Sequence, residues 1–371
     1  MDYLVDENEG SNEYEFVVYS IFDKAAKKKS KIYKNTKFVY IPINRNLNKI
    51  NNFIIKVVRK IFKIELKTLL IREIIKYLRK ENFDKIIVEG NEVQILQLRK
   101  YYKGKLYFHA HHDAFNTCKI NPNKIIDSCE KVITVSEYIK ERTLNVCSVK
   151  NYDKIIKVEN CIDNKVFNKM LYIDEKIQLR NKYGIKDDEL VIMFTGRIIK
   201  EKGIKELIEA FKLICTDKKV KLMIVGNAGF ANETISSYDR ELFELSKSIS
   251  DKIIFTGFIH NLELPKIHSI VDIAVVPSIW EEPAGLVAIE ALASGLPLIV
   301  TESGGLTEYV NEKCAIILKK DKNLIKNMAK ALENLIDNED LRKKMSFEAR
   351  KQGEKYGTRE YYNAYINALK G

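Results

Sequence analysis

The sequence predicts an α/β protein built from two doubly wound domains, and three observations lead to that prediction. Short runs rich in β-branched residues alternate with helical patterns along nearly the whole chain. The runs are continuously apolar, which is typical of parallel strands covered by helices on both faces. They fall into two series, and 371 residues fit two domains of roughly 150 residues each.

Each series contains runs that we interpret as strands. In the first half these are Glu15–Ser20, Lys37–Ile43, Lys85–Gly90, Lys105–Ala110, Lys131–Ser136 and Lys154–Asn160. In the second half they are Leu190–Gly196, Val220–Asn227, Lys252–Phe258, Ile273–Ser278, Pro297–Ser303 and Cys314–Lys319. Helices such as Gly203–Cys215 and Leu324–Ile336, with apolar residues at helical spacing, lie between the strands.

The polar stretch Asn164–Asp174 separates the two series. We therefore predict an N-terminal domain over residues 1–168 and a C-terminal domain over residues 169–350. A last helix, residues 351–371, is expected to return to the N-terminal domain. Ligands of open α/β sheets bind beyond the carboxyl ends of the strands, so we expect the functional residues in the loops that follow them.

The composition excludes several classes of protein. With 46% apolar residues the chain can bury a core, which excludes a wholly disordered protein. The six cysteines form no C-x-x-C pair, so they predict reduced thiols and no zinc or redox motif. No apolar run approaches the roughly 18 residues needed to span a bilayer, and the acidic start of the chain is unlike a secretory signal. We therefore expect a cytoplasmic protein.

The net charge of +12 is concentrated near the N-terminus, where residues 24–80 hold 18 Lys and Arg against two Glu. Apolar residues recur there at helical spacing, with cations on the other side: Ile50, Phe53, Ile54, Val57, Val58, Ile61 and Phe62 against Lys49, Lys56, Arg59, Lys60 and Lys63. This predicts a basic amphipathic segment, residues 49–80, that lies on an anionic membrane surface at the inner face of the membrane. The alternative is an ordinary helix whose apolar face joins the core. No nucleic-acid-binding motif accompanies the charge, so we expect no nucleic-acid partner.

A candidate anion site follows one strand of the second series. The segment VPSIWEEPAGLVAIEALASGLPLIVTESGGL, Val276–Leu306, reads as a strand, a loop and a helix that begins at Gly285 and stops at Gly295. Free N–H groups and the helix dipole attract anions to a helix N-terminus. Gly285 has no side chain, so a phosphate can approach the backbone closely.

Two glutamates lie on either side of this helix start. Glu290 is the one charged residue in a helix that is apolar on all faces, and a buried carboxylate needs a partner. Vicinal ribose hydroxyls would satisfy it, but so would an internal salt bridge with Lys or Arg. Glu282 lies eight residues earlier, in the preceding loop, and gives the spacing Glu-x7-Glu.

A cationic site follows another strand, in the segment FTGRIIKEKG, Phe194–Gly203. Arg197 and Lys202 lie between the strand end and the next helix start. The fork of an arginine and the point charge of a lysine suit a diphosphate, although a solvated basic loop has the same composition.

In this order the motifs resemble family 4 of the retaining, nucleotide-sugar-dependent glycosyltransferases, enzymes of surface-polysaccharide synthesis with two facing Rossmann-like domains (the GT-B fold). The resemblance covers roughly Phe108 to the C-terminus. It depends on GRIIKEKG (Gly196–Gly203), VGNAG (Val225–Gly229), FTGFI (Phe255–Ile259), the Glu-x7-Glu segment, TESGGLTEYV (Thr301–Val310), VITVSEYIK (Val132–Lys140) and VENCIDNKVF (Val158–Phe167).

The resemblance implies a role for each donor-site residue. Glu290 would hold the nucleotide ribose, and Glu282 would contact the donor sugar near its reacting carbon. Arg197 and Lys202 would bind the diphosphate. Further donor contacts are implied for Gly196, for the backbone N–H groups of Gly285 and Leu286, and for Phe258 and Ile259, which would meet the base.

Three of the five histidines lie in the run His109-Ala110-His111-His112-Asp113. This run resembles the pattern H-x-H-N-D of the family, which implies that His111 faces the sugar. A cluster of imidazoles with a carboxylate is also typical of a metal site. However, adjacent His111 and His112 would point to opposite faces of a continuing strand, and the enzymes that the chain resembles need no metal for the diphosphate. We therefore expect no metal and no cofactor besides the donor.

The predicted function is a retaining hexosyltransferase that moves a hexose or N-acetylhexosamine from a UDP-sugar to a glycan or lipid-linked acceptor of the lipopolysaccharide or capsule type. Two alternatives stay open, a nucleotide-sugar-binding partner subunit with little activity and a nucleotide-sugar epimerase on the same fold. The partner-subunit alternative arises because members of the family begin with a strand and a glycine-rich loop. Here only Gly10-Ser11 resembles a remnant of that loop. We therefore expect the first domain to lack its first strand.

Overall fold

The computed structural model describes residues 2–62, 66–118, 120–167, 172–227 and 236–370. The chain divides into two compact units. The first unit comprises Met1–Glu159 with Thr358–Gly371, and the second comprises Asn160–Gly357.

The unit boundaries differ from the sequence prediction in two segments, because residues 160–167 and 351–357 belong to the second unit. The reason is local hydrogen bonding. The N–H of Ile162 donates to the carbonyl of Tyr356 at 2.9 Å, and the N–H of Asn160 donates to the hydroxyl of Tyr309 at 3.3 Å. These bonds hold both segments within the second unit.

Each predicted strand overlaps a strand of the structure, and the ends differ by at most a few residues. The strands are β1 Phe16–Ile21, β2 Thr36–Ile41, β3 Lys85–Glu89, β4 Lys105–Ala110, β5 Lys131–Thr134, β6 Ile155–Lys157, β7 Leu190–Thr195, β8 Val220–Val225, β9 Ile253–Gly257, β10 Ile273–Val276, β11 Leu298–Thr301 and β12 Ala315–Leu318.

Helices occupy most of the described chain between the strands. They are α1 Asp2–Ser11, α2 Lys24–Lys29, α3 Arg45–Phe62, α4 Leu69–Leu78, α5 Val93–Arg99, α6 Ala114–Thr117, α7 Pro122–Asp127, α8 Glu137–Leu144, α9 Asn164–Phe167, α10 Ile173–Lys182, α11 Ile204–Lys212, α12 Ser237–Ser246, α13 Leu264–His268, α14 Leu286–Ala293, α15 Leu324–Asp337, α16 Glu339–Gly353 and α17 Thr358–Lys370. None of the helices in the described ranges has both the length and the apolar character needed to cross a bilayer.

The second unit contains a six-stranded parallel sheet in the order β12-β11-β10-β7-β8-β9. The chain winds outward from β7 in one direction and from β10 in the other, so the order reverses between these two neighbours. In doubly wound sheets this switch point opens a crevice beyond the strand ends, where ligands bind.

Both faces of this sheet are buried, as the apolar strands predict. Ile192 packs in one cluster with Leu207 and Leu332, whereas the next residue, Met193, packs in the other cluster with Leu292. Successive strand residues point to opposite faces, so a strand that is apolar at every position needs helices on both sides.

The first unit differs from the single series expected for it. Within the described residues its strands form two parallel sheets, one of β1 and β2 and one of β3, β4, β5 and β6 in that order. Helix α17 is part of this unit: the hydroxyl of Tyr362 donates to Asn8 Oδ1 at 2.9 Å, and that of Tyr107 donates to the Leu369 carbonyl at 3.0 Å.

One expectation about the start of the chain is wrong. Gly10 and Ser11 were expected to be the remnant of a glycine-rich loop, but they form the end of helix α1. The described residues before Phe16 contain this helix and no strand.

Candidate active site

The switch point of the second unit brings together two of the predicted functional residues. Lys202 follows β7 and Glu282 follows β10, and these strands are hydrogen-bonded neighbours. Lys202 Nζ lies 2.6 Å from Glu282 Oε1, and both side chains are largely buried. Ser278 Oγ donates to the same carboxylate oxygen at 2.5 Å. Side chains therefore link the loop after β7 to the loop after β10.

Gly203 allows this approach of the two loops. Its backbone is left-handed, with φ +70°, and a Cβ at this position would lie 1.9 Å from the carbonyl oxygen of Pro277. Since no side chain fits there, the chain after β7 can pass directly against the end of β10. Lys202 is thereby carried to Glu282.

The loop between β10 and α14 is held by side chains of the neighbouring strand end. Thr301 Oγ1 donates to the carbonyl of Ser278 at 2.6 Å, and Ser303 Oγ donates to the carbonyls of Ser278 and Trp280, both at 2.8 Å. The N–H of Gly305 donates to the carbonyl of Glu282 at 2.7 Å. Sequence reasoning missed these contacts, although TESGG was singled out as a motif.

Helix α14 begins at this loop, with Gly285 at its N-cap position and Leu286 exposed in its first turn. The first N–H groups of any α-helix have no acceptor within the helix. A Cβ on Gly285 would lie 3.0 Å from Leu306 Cδ1 and 3.1 Å from Tyr309 Cδ2, so the glycine also lets the helix start pack tightly on the next loop. Its N-terminus lies three residues beyond Glu282 and is a suitable place for a phosphate.

Glu290 lies one turn further along α14. Within the described ranges its carboxylate forms no hydrogen bond or ion pair, so the salt bridge that the sequence left open is not found there. Burial raises the pKa of Glu290 to about 7, because the charged form loses hydration that no partner replaces. A carboxylate in this condition gains most from a ligand that supplies hydroxyl donors.

Arg197, Phe258 and Ile259 follow the carboxyl ends of β7 and β9, and within the described residues no hydrogen bond or ion pair joins them to Lys202 or Glu282. Arg197 is exposed just beyond β7. Phe258 is exposed just beyond β9, with Ile259 beside it, two strands away from β7. Two strand spacings are roughly 10 Å, so these positions and the switch point could contact different parts of an extended ligand. Residues 228 and 229 of the VGNAG motif lie outside the described residues.

In the first unit the histidine run meets a carboxylate that the sequence reasoning missed. Glu89 ends β3 and is paired in register with His109 on β4. Its Oε2 lies 2.6 Å from His111 Nε2 and 3.1 Å from His109 Nδ1. The signal was available, because Glu89 is the polar residue at the carboxyl end of a predicted strand.

The structure also changes the argument that adjacent His111 and His112 cannot share a metal ion. Strand β4 ends at Ala110, so the expected alternation of His111 and His112 along a continuing strand does not apply. His111 is grouped instead with His109 and Glu89, whose ligand atoms all lie within 4.8 Å of one another and could hold a metal ion. The expectation that no metal is required stays a prediction.

Comparison with known proteins shows a similarity to one family of enzymes. Residues 175–352 match the family model described as glycosyl transferases group 1. Residues 175–352, slightly less than half of the chain, are therefore similar to the group 1 glycosyltransferases. An uncharacterized glycosyltransferase of Methanocaldococcus jannaschii is 37% identical over 190 residues, which cover 50% of this chain and 46% of that relative. The chain thus matches about half the length of this relative.

Two further comparisons extend the likeness, and the second of them covers the whole chain. The lipopolysaccharide 1,2-N-acetylglucosaminetransferase of Salmonella typhimurium is 28% identical over 234 residues, covering 61% of this chain and 57% of that protein. The crystal structure of Anabaena HepE in complex with UDP and glucose superposes with a TM-score of 0.76 over 100% of this chain and 95% of that one, at 16% identity. The chain therefore has the GT-B fold, as the resemblance implied.

Proposed function

We propose that the protein is a group 1 glycosyltransferase that moves a hexose or an N-acetylhexosamine from a UDP-sugar to a growing surface glycan, with retention of configuration. The observation that carries the proposal is the switch-point site, where the Lys202–Glu282 pair lies at the start of helix α14. The similarity to a lipopolysaccharide N-acetylglucosaminetransferase supports the acceptor class, and the fold shared with a protein crystallised with UDP supports the donor class.

The donor diphosphate would bind at the N-terminus of α14 and compete with Glu282 for Lys202. Lys202 Nζ donates to Glu282 Oε1, so binding of a dianion would make Lys202 a shared partner of phosphate and carboxylate. Arg197 is exposed, and its side chain has no partner among the described residues. Its guanidinium could therefore donate two hydrogen bonds to the phosphates. These groups are fixed before reaction, and preorganised charge is commonly the largest catalytic contribution.

The reaction requires no protein base in this proposal. The bond between the anomeric carbon and the phosphate oxygen breaks, and its electron pair stays on the UDP. The acceptor hydroxyl oxygen forms the new bond on the same face of the sugar, and its proton passes to the leaving phosphate oxygen. Glu282 would stabilise the positive charge that develops on the sugar. The resemblance implies that His111 hydrogen-bonds a sugar hydroxyl.

Glu290 would hold the ribose in this proposal. The two hydroxyls of a ribose can donate to both carboxylate oxygens, which replaces the hydration lost on burial. The raised pKa of Glu290 supports this role, because it reflects a charge left without a partner in the free protein.

Helix α3 supports contact of the enzyme with an anionic membrane. Of its apolar side chains Ile55 is buried, whereas a larger set is exposed: Leu47, Ile50, Phe53, Ile54, Val57 and Ile61. That exposure favours the membrane interpretation over a helix packed on the core. Lys49 and Lys56 are exposed beside the apolar set, and each cation near an anionic surface contributes about 1 kcal/mol. Lys63 and the side chains of Arg59 and Lys60 lie outside the described part of the chain.

A donor screen followed by a transfer assay tests the proposal. Nucleotide sugars are compared by thermal shift, since a ligand that binds the folded state raises the melting temperature. The best donor is then radiolabelled and followed with and without a glycan acceptor. Release or transfer of sugar supports the glycosyltransferase. Binding without sugar release favours the partner subunit, and a changed sugar in the absence of acceptor identifies an epimerase.

A further inference from the structure

Glu89 has one carboxylate oxygen that is shared by two imidazole rings. Oε2 faces His111 Nε2 and His109 Nδ1, and the two rings lie with their centroids 4.1 Å apart. Burial by itself would raise the pKa of Glu89, but the hydrogen bonds and charges of the two histidines outweigh it and hold the pKa well below its usual range. Glu89 is therefore ionised and can only accept hydrogen bonds.

This fixes which ring nitrogens carry hydrogen. Both nitrogens that face Oε2 must donate, so the facing atoms are His111 Nε2–H and His109 Nδ1–H. The other nitrogen of His109, Nε2, is buried and has no partner within the described ranges, which suits a lone pair better than an orphaned N–H. Burial also lowers the pKa of His109, against the opposing effect of Glu89. His111 is then left with Nδ1 as its outward hydrogen-bond acceptor when the ring is neutral.

The second oxygen of Glu89 is held by the C-terminal helix. The hydroxyl of Tyr365 on α17 donates to Glu89 Oε1 at 3.4 Å, and Tyr365 is fully buried with its ring 5.2 Å from that of His109. Residues more than 250 positions apart in the chain thus converge on one carboxylate. Helix α17 thus contacts both Glu89 and His109 through the side chain of Tyr365.

We propose that Glu89, supported by Tyr365, is a positioning residue for His111 and presents its Nδ1 as the acceptor for a hydroxyl of the transferred sugar. This rests on the proposed function, in which His111 contacts that sugar. The side chain of His111 is about half exposed. Without Glu89, its χ1 torsion could therefore adopt any of the three staggered rotamers. One short charge-assisted hydrogen bond selects both its rotamer and its tautomer.

The test combines ring-nitrogen NMR of histidine-labelled protein at pH 8 with kinetics. Glu89→Gln keeps the shape of the side chain but offers an amide that can accept from or donate to His111. We expect wild-type His111 to show one tautomer, with hydrogen on Nε2, and Glu89→Gln to show a mixture. We expect kcat to fall about 10- to 100-fold, since a displacement of about 1 Å of a catalytic contact can cost that much. The affinity for UDP, which does not touch this cluster in the proposal, should stay within about twofold.

Tyr365→Phe tests the second contact without removing the ring. The loss of this one long hydrogen bond to the Glu89 carboxylate is expected to lower kcat about two- to tenfold. Tyr362→Phe is the matched control on the same helix, because its hydroxyl binds Asn8 and not Glu89. It should keep the wild-type kcat and the wild-type tautomer of His111.

The outcomes separate this inference from the proposed function. If no donor is turned over by the wild-type enzyme, the proposed function fails, and the NMR arm still decides whether Glu89 sets the tautomer of His111. An unchanged His111 spectrum and unchanged kcat in Glu89→Gln overturn the inference. So does stoichiometric Zn²⁺ binding to wild-type protein that Glu89→Gln abolishes, because Glu89 would then be a metal ligand.

Discussion

Replacing Glu290 by glutamine should make the ligand-free protein more stable at neutral and alkaline pH. The pKa of Glu290 is raised from 4.5 to about 7 in the folded protein, a difference of about 2.5 units. At 1.36 kcal/mol per unit, ionised Glu290 costs the folded state about 3 kcal/mol, an upper bound because the side chain keeps some exposure to water. Glutamine occupies the same volume and carries no charge to desolvate.

The sign of the pH dependence follows from proton linkage. Between pH 4.5 and 7 the folded protein keeps a proton that the unfolded chain has lost, so the free energy of unfolding falls as the pH rises through this window. Below pH 4.5 both states are protonated and the contribution disappears. The gain from Glu290→Gln should therefore be largest at pH 8, up to about 3 kcal/mol, and small below pH 5.

Urea denaturation at pH 5 and pH 8 measures this difference. The chain has one tryptophan, Trp280, which lies in the second unit, so its fluorescence reports the unit that contains Glu290. Glu312→Gln, an exposed glutamate of the same unit, is the matched control and should change the unfolding free energy little at either pH. Equal stability of wild type and Glu290→Gln at pH 8 would refute the reasoning, because the carboxylate would then have a partner.

Three other changes test the site and the surface. Glu282→Gln should lower kcat about 100-fold, because it removes the negative charge opposite the reacting sugar. The equilibrium affinity for UDP should be kept or improved, since Lys202 is released from its ion pair. A parallel loss of UDP affinity would contradict this. Gly203→Ala should lower the free energy of unfolding of the second unit, measured in urea, by at least about 2 kcal/mol, because the alanine is strained at φ +70° and its Cβ meets a backbone carbonyl. A change below about 0.5 kcal/mol, as is usual for surface substitutions, would argue against the tight packing of the two loops. In a sedimentation assay the protein should bind anionic vesicles but not zwitterionic ones, and more weakly in high salt. Phe53→Ser should weaken this binding, whereas Phe347→Ser, a change of an equally exposed phenylalanine on α16, should not. Equal effects of the two substitutions would exclude α3 as the membrane contact.

The positions of the strands could be predicted because each strand of the second unit is apolar at nearly every position, a local signal. The packing explains why that signal is clear: Ile192 and Met193 are both buried, but on opposite faces of the sheet. The start of α14 was equally readable, because Gly285 and Gly295 delimit a short apolar run. These features depend on a few residues that are close in the sequence.

Contacts between distant segments could not be predicted in the same way. Lys202 and Glu282 are 80 residues apart, and only the order of the sheet, which puts β7 beside β10, brings them to 2.6 Å. Glu89 was missed because its meaning depends on the register of β3 against β4 and on a tyrosine of the last helix. Gly10 was misread because a glycine near the end of a helix and one in a glycine-rich loop look alike in a single sequence.

The central claim is that Glu290 binds the ribose of a UDP-sugar donor, and calorimetric titration with UDP tests it most directly. Wild-type protein should bind one UDP per chain, and Glu290→Ala should bind at least about tenfold more weakly, since a hydrogen bond to a charged group contributes about 1.5–3 kcal/mol. Glu312→Ala should match the wild type. Equal UDP affinity of wild type and Glu290→Ala would contradict the account.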